Sequence, residues 1–250
     1  MHTVFSDGKG TIRDNAEAAM KKGLKQIAIT DHGMRNVFKH NTAEKIRLAR
    51  QEIDALNDEY KKNGVDFKIL LGIEANSVGL DGKMDIEDFS PFDFVMVGFH
   101  RSARMYKLSD YFKYSLPAYL SVIFPISKKI RQRNTEALLK LIDRYPISFI
   151  SHINNYAVVD VEKICDKCAE KGIYIEINCR HVFRKKFEMK DFFDKIYASG
   201  VKLICNTDAH TPDSVGDFTN VENFLNDIPY DVSDRIVNLN GAPGFKNPNE

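Results

Sequence analysis

The amino-acid sequence predicts an α/β fold in which a parallel sheet closes into a barrel, and three observations carry that expectation. Six short β-rich runs are interleaved with polar helix-like stretches, as expected of strands joined by crossover helices. A polar residue suited to catalysis or ligation appears as each run ends, and in a closed barrel those strand ends meet at one mouth. The 250 residues, 43% of them hydrophobic, suit one large domain with a sizeable core. Spacing alone leaves a doubly wound open sheet as the alternative.

Residues 11–22 read as a helix closed by Gly23, followed by the strand LKQIAIT, which ends at Asp31 and His32. Thr42 caps a long helix reaching about residue 62, and FKILLGI then delivers Glu74. The run FDFVMVGF ends at His100. A helix over about 134–144 leads into ISFIS and His152, and a helix closed by Gly172 leads into IYIEIN with Glu176 and Asn178. A last helix, about 190–199, stops at Gly200 before VKLICNT delivers Asp208 and His210. Residues 101–133 break the rhythm. They form a long connection rich in Tyr, Phe, Lys and Arg, read as an insertion that makes either a lid or a helical layer on the outer surface. No repeat, low-complexity tract or linker divides the chain, so residues 1–250 are expected to form a single domain.

Lys and Arg number 36 against 35 Asp and Glu, a formal net charge of +1. Whole-molecule charge therefore supplies no pull toward nucleic acid or an anionic membrane. The most apolar run, residues 116–126, holds two prolines and is about half the length that spans a bilayer. A buried segment or lid is expected there. Four cysteines and no apolar segment at the start read as a reduced cytoplasmic protein. The lone CxxC, Cys165 and Cys168, lies in an amphipathic stretch and reads as ordinary helix residues.

Of seven histidines, His32, His100, His152 and His210 sit at strand ends and His2 at the N-terminus; Glu74 and Asp208 share that placement, and Asp7 follows His2 closely. Bringing so many imidazoles and carboxylates together without a cation leaves buried polar groups unpaired and like charges adjacent. Divalent metal removes both penalties. Mixed His and carboxylate donors without thiolate suit zinc, manganese or iron, and eight donors are too many for one tetrahedral ion, so two or three ions are expected. Clustered ions of this kind suit phosphate-ester hydrolysis by a metal-activated hydroxide.

HTVFSDG, ITDHG, the Glu of LLGIEAN, the His of VGFHR, the His of FISHINN, IEIN and NTDAH occur in that order. The ordered set resembles the PHP (polymerase and histidinol phosphatase) superfamily, from residue 1 to about residue 216. The resemblance implies a distorted TIM-like (β/α)7 barrel with a trinuclear metal centre. It implies that His2, Glu74 and Asp208 hold one ion, that Glu74 bridges to a second held by His100 and His152, and that Asp7, His32 and His210 hold the third. Asp31 is expected to orient a neighbouring imidazole or water. The first motif departs from the family pattern, a strand ending in His-x-His-Thr: here His2 is the second histidine, and the opening reads as the tail of a strand whose start is absent, either truncated or lost by divergence. The first ion is accordingly expected to be weakly held or completed by water.

Arg101, directly after His100, and Arg180, just beyond IEIN, are the expected phosphate-binding residues. The expected activity is hydrolysis of a small-molecule phosphomonoester, histidinol-phosphatase-like, with no Ser or Cys nucleophile. Three alternatives remain open: a nucleic-acid phosphodiesterase or exonuclease, for which Lys128, Lys129, Arg131 and Arg133 make a modest basic cluster; a metal-dependent amidohydrolase; and a metal-binding module without turnover.

Overall fold

Helices begin where a polar side chain can satisfy their first free amides. Thr11 caps α1 (Ile12–Lys21) by accepting from Asp14 N, and Thr42 caps α2 (Ala43–Lys62) by accepting from Lys45 N. In the same way Ser127 opens α5 (Lys128–Arg144) and Asp160 opens α6 (Val161–Lys171), the latter closed by left-handed Gly172. The computed structural model describes residues 1–37, 40–100, 102–120, 125–153, 159–180, 186–229, 231–239 and 241–250. Between β3 and α5 lie three short helical pieces, α3 (Leu108–Asp110), a π-turn (Tyr111–Ser115) and α4 (Leu116–Leu120). The last two helices are α7 (Lys186–Ser199) and α8 (Thr219–Asp227).

Six strands, β1 (Gln26–Ile29), β2 (Lys68–Asn76), β3 (Phe94–Gly98), β4 (Phe149–Ile150), β5 (Tyr174–Asn178) and β6 (Leu203–Asn206), pair in sequence order, each neighbouring pair parallel. Strand alternation sends odd and even residues to opposite faces. Ile27, Ile29, Ile69, Leu71, Ile73, Val95, Val97, Ile175 and Ile177 join the large core beneath the helices. Leu70, Phe94, Met96, Phe149 and Ile204 form a second cluster on the other face. The same register, followed toward the strand ends, turns polar: Leu70 leads to Glu74 and Asn76, Met96 to His100, and Ile204 to Asn206 and Asp208. The inner face is thus apolar below and chemical above.

The family likeness implies seven strands, whereas the described residues form six. The place between β1 and β6 is crossed instead by the first residues: Met1 N donates to Ala28 O at 3.3 Å, Thr30 N to Met1 O at 2.8 Å, and His2 N to Ala209 O at 2.8 Å. Below them the free edge of β6 is taken by the C-terminal segment. Val237 N donates to Leu203 O at 2.9 Å, and the Asn238 amide brackets Cys205, accepting from its N at 3.0 Å and donating to its O at 2.6 Å. A cavity of about 500 Å³ lies along this seam, lined among others by Met1, Ala28, Thr207 and Phe245. Phe245 floors the inner cluster, its ring 4.1 Å from that of Phe94 and 6.0 Å from that of Phe149.

Other expectations shift at their edges. The helix expected at about 134–144 starts at Lys128, because Ser127 supplies a cap ahead of the apolar pattern, so the expected insertion already contains its first turns. The helix expected at about 190 starts at Lys186. Within the insertion, Tyr114 is buried, its hydroxyl 2.9 Å from Ser77 Oγ and its ring 4.5 Å from that of Phe99. Part of the apolar run at 116–126 lies outside the described residues; Leu120 is exposed. Among the described residues no helix is long and apolar enough to cross a membrane. All four cysteines are free and buried, and burial pushes the Cys165 thiol up to about 12.

Phe245→Ala should cost about 1–3 kcal/mol, because it strips a partly buried ring from a stacked floor. Urea unfolding followed by circular dichroism measures this, and an unchanged midpoint would show that the tail does not floor the barrel.

Candidate metal centre

Glu74, near the end of β2, is the meeting point of the mouth. His2 Nε2 lies 3.4 Å from its Oε2, and His32 Nδ1 lies 3.1 Å from the same oxygen. Its Oε1 is 3.3 Å from His100 Nε2 and 2.9 Å from His152 Nε2. Asp208 completes one group, its Oδ1 3.2 Å from His2 Nε2. Asp7 organises another, its Oδ2 3.5 Å from His32 Nε2 and 3.3 Å from His210 Nε2. All eight residues named from the sequence as ligands therefore converge.

Local structure explains how each arrives. The segment holding His2 and Asp7 is folded around Asp31, which accepts from Thr3 N at 2.7 Å, from Thr3 Oγ1 at 2.6 Å and from Ser6 Oγ. Ser6 Oγ in turn lies 3.4 Å from His2 Nδ1. Asp31 thus acts on the His2 imidazole through a hydroxyl and shapes the loop as a whole. Lys9 N, donating to His210 O at 2.8 Å, draws Asp7 toward His210. His152 and Asp208 sit in the left-handed region, with φ of 30° and 49°, which costs a side-chain-bearing residue on the order of 1–2 kcal/mol. Glu176 holds both in place. It accepts from His152 N at 2.9 Å, from Asn206 Nδ2 at 2.9 Å and from Asn178 Nδ2 at 3.0 Å, and Asn178 Nδ2 also lies 3.4 Å from Asp208 Oδ2. Gly98 makes room, since a Cβ there would meet Ser151 Oγ at 2.6 Å and the His152 ring at 2.9 Å.

Arg180 is exposed at this rim, its N donating to Asn178 Oδ1 at 3.0 Å and its Nη1 2.8 Å from the His210 imidazole nitrogens. Arg101 lies outside the described residues. Sequence reasoning gave Glu176 no role and passed over Asn76, whose Oδ1 is 2.8 Å from His100 Nδ1. Its position two residues beyond Glu74, on the same face, is the signal that could have found it.

Burial alone would raise the Glu74 carboxyl, but His100, His152 and His32 hold it well below the usual carboxylate range. Burial drives His100 down to about 4 despite Glu74. For His32 burial is outweighed by Asp7 and Glu74, which lift it to about 10. Burial raises Glu176.

The donor set fits divalent cations. Zinc bonds of about 2.0–2.2 Å put neighbouring donors of a tetrahedron roughly 3.3 Å apart, and the imidazole-to-carboxylate distances above run from 2.9 to 3.5 Å. His32 Nδ1 is buried beside Glu74 Oε2 without a hydrogen bond. Donors from His2, Asp7, His32 and His210 lie within 4.8 Å of one another, and so do those from His32, Glu74 and His100.

The opposite shifts of His100 and His32 should give these two histidines' joint contribution to the stability of the metal-free protein a maximum near pH 6.5. His100 titrates in the fold below its unfolded value of 6.5, so its contribution is complete above pH 6.5 and is lost as pH falls toward about 4. His32 titrates above 6.5, so its contribution is complete below that pH and is lost as pH rises toward about 10. Thermal melts of chelator-treated protein should fall on both sides; a flat profile from pH 4 to 10 would refute the assignment.

The PHP domain family model matches residues 1–180. Over 221 residues the chain is 28% identical to the DNA polymerase/3'-5' exonuclease PolX of Bacillus subtilis (strain 168), covering 87% of this chain and 34% of that protein. The chain thus spans about a third of the length of that relative. The crystal structure of histidinol phosphate phosphatase from Lactococcus lactis subsp. lactis, complexed with zinc, L-histidinol and phosphate, superposes with a TM-score of 0.61 at 18% identity, over 90% of this chain and 89% of that one. That similarity is one of fold, a distorted α/β barrel. With well over half of its length matched by the family model, and its strand-end histidines and acids gathered at one mouth, the chain belongs to the PHP domain family.

Proposed function

We propose that the protein is a metal-dependent hydrolase of phosphate esters, acting on a small-molecule phosphomonoester. The observation that carries this reading is the sharing of one buried carboxylate, Glu74, among His2, His32, His100 and His152. His2, Glu74 and Asp208 would hold one ion, Glu74, His100 and His152 a second, and Asp7, His32 and His210 a third, with zinc, manganese or iron suiting the donors. Bound there, such ions polarise a phosphate ester and supply hydroxide at neutral pH.

The chain's own residues supply the remainder. Arg180 is anchored by its backbone to Asn178 and leaves its guanidinium beside His210, where a forked donor can hold phosphate oxygens. Arg101 has the same proposed role on sequence grounds. Asp31 keeps the His2–Asp7 loop in register, and Glu176 keeps His152 turned inward. The reading treats residues 1–250 as one barrel domain, and four free buried thiols suit the reducing cytoplasm.

One observation favours a second reading, hydrolysis of nucleic-acid phosphodiesters: the similarity to PolX over 221 residues. Binding through phosphates would make that activity fall steeply with added salt.

After reconstitution with zinc, manganese or iron, the protein should bind two or three ions by elemental analysis and release phosphate from members of a phosphomonoester panel. His152→Ala should lose an ion and at least about a hundredfold in kcat/KM. Fewer than two ions bound, or no ester cleaved with any of the three metals, refutes the proposal.

A further inference from the structure

Asn76 closes β2 two positions beyond Glu74, and its Oδ1 faces His100 Nδ1 at 2.8 Å. The other end of its amide is held by Asp85. Asn76 Nδ2 donates to Asp85 Oδ2 at 2.6 Å, and Asn76 N donates to Asp85 Oδ1 at 2.6 Å. Arg35 N also donates to Asp85 Oδ2, at 2.8 Å. Asp85, Asn76 and His100 are all buried.

These contacts fix the direction of each hydrogen bond in the series. Backbone N–H groups cannot reverse, so both Asp85 oxygens are acceptors. Against an ionised Asp85 the part of the Asn76 amide beside Oδ2 is its NH2, because an amide oxygen there would face a carboxylate oxygen. The amide oxygen is left facing His100, and only an imidazole N–H can satisfy it. The proton then sits on Nδ1, and Nε2, 3.3 Å from Glu74 Oε1, keeps its lone pair.

We propose that Asp85 is a positioning residue for the metal centre: acting through Asn76, it holds His100 in the Nδ1–H tautomer and keeps Nε2 open to a divalent cation. This rests on the reading of His100 as a ligand. The amide oxygen accepts the Nδ1 proton and orients the ring, as a carboxylate or carbonyl does behind other ligating histidines, and Asp85 fixes which end of the amide faces it. Gly33, beside His32, is part of the device, since a Cβ there would lie 2.5 Å from both Asp85 oxygens. Arg35 contributes its amide alone; its guanidinium donates to Arg104 O at 2.8 Å and Met105 O at 3.1 Å.

Long-range ¹H–¹⁵N NMR of the imidazoles in metal-free protein reads the tautomer, and equilibrium dialysis against zinc reads affinity. The wild type should show His100 protonated on Nδ1. Asp85→Asn and Asn76→Ala should shift His100 toward Nε2–H and weaken one zinc by about 10- to 100-fold. Arg35→Ala, which keeps the backbone donor, should change neither. Folded variants that retain Nδ1–H and wild-type zinc affinity overturn the proposal even if they melt earlier, because a merely structural role moves the melting temperature and leaves the tautomer alone. Should Asp85→Asn fail to fold, Asn76→Ala decides, since Asp85 there keeps its two backbone donors. Wild-type protein with Nδ1–H but no zinc bound overturns the proposed function and, with it, the ligation role given to Asp85; the tautomer data separate the two failures.

Discussion

Glu74 is the constraint on which the mouth depends, because a carboxylate only 3% exposed costs several kcal/mol unless partnered. Its partners come from far apart: the chain start, the end of β1, the end of β3 and the end of β4. On a flat sheet β2 and β4 lie roughly 10 Å apart, given a strand spacing of about 4.8 Å. Imidazoles from both sides reach one carboxylate only because the sheet curls. Curvature and chemistry are therefore a single requirement.

The supporting polar groups divide that requirement by distance. Asp31 holds the first loop, Glu176 holds the two residues with left-handed backbone, and Asp85 with Asn76 holds His100. Each is a buried acceptor that takes backbone N–H donors, so each ties a side chain to the main chain beside the mouth.

Much of this was legible in the sequence for a physical reason. A parallel strand announces itself by a short apolar run, and the residue at its carboxyl end is the one free to be polar, so His32, Glu74, His100, His152, Asp208 and His210 stood out. Thr11 and Thr42 were readable because a cap acts locally. The start of α5 was not, since KKIRQR carries almost no apolar rhythm and only Ser127 marks it. Asp85 lies in an acidic loop, and its value depends on meeting Asn76 and the backbone at Arg35, which only the folded chain arranges. Phe245 sits in a Gly-, Pro- and Asn-rich tail that reads as loop, yet its ring completes the inner floor.

Among the described residues no strand pairing joins β1 to β6. Around the rest of the ring a change in circumference must stretch a parallel ladder. Between β1 and β6 the described residues supply instead the main-chain bonds of Met1 and His2, beside a cavity of about 500 Å³, and the bonds of the C-terminal segment to β6. Because His2 is built into that joint, a widening there would lengthen the distances from His2 to Glu74 and Asp208.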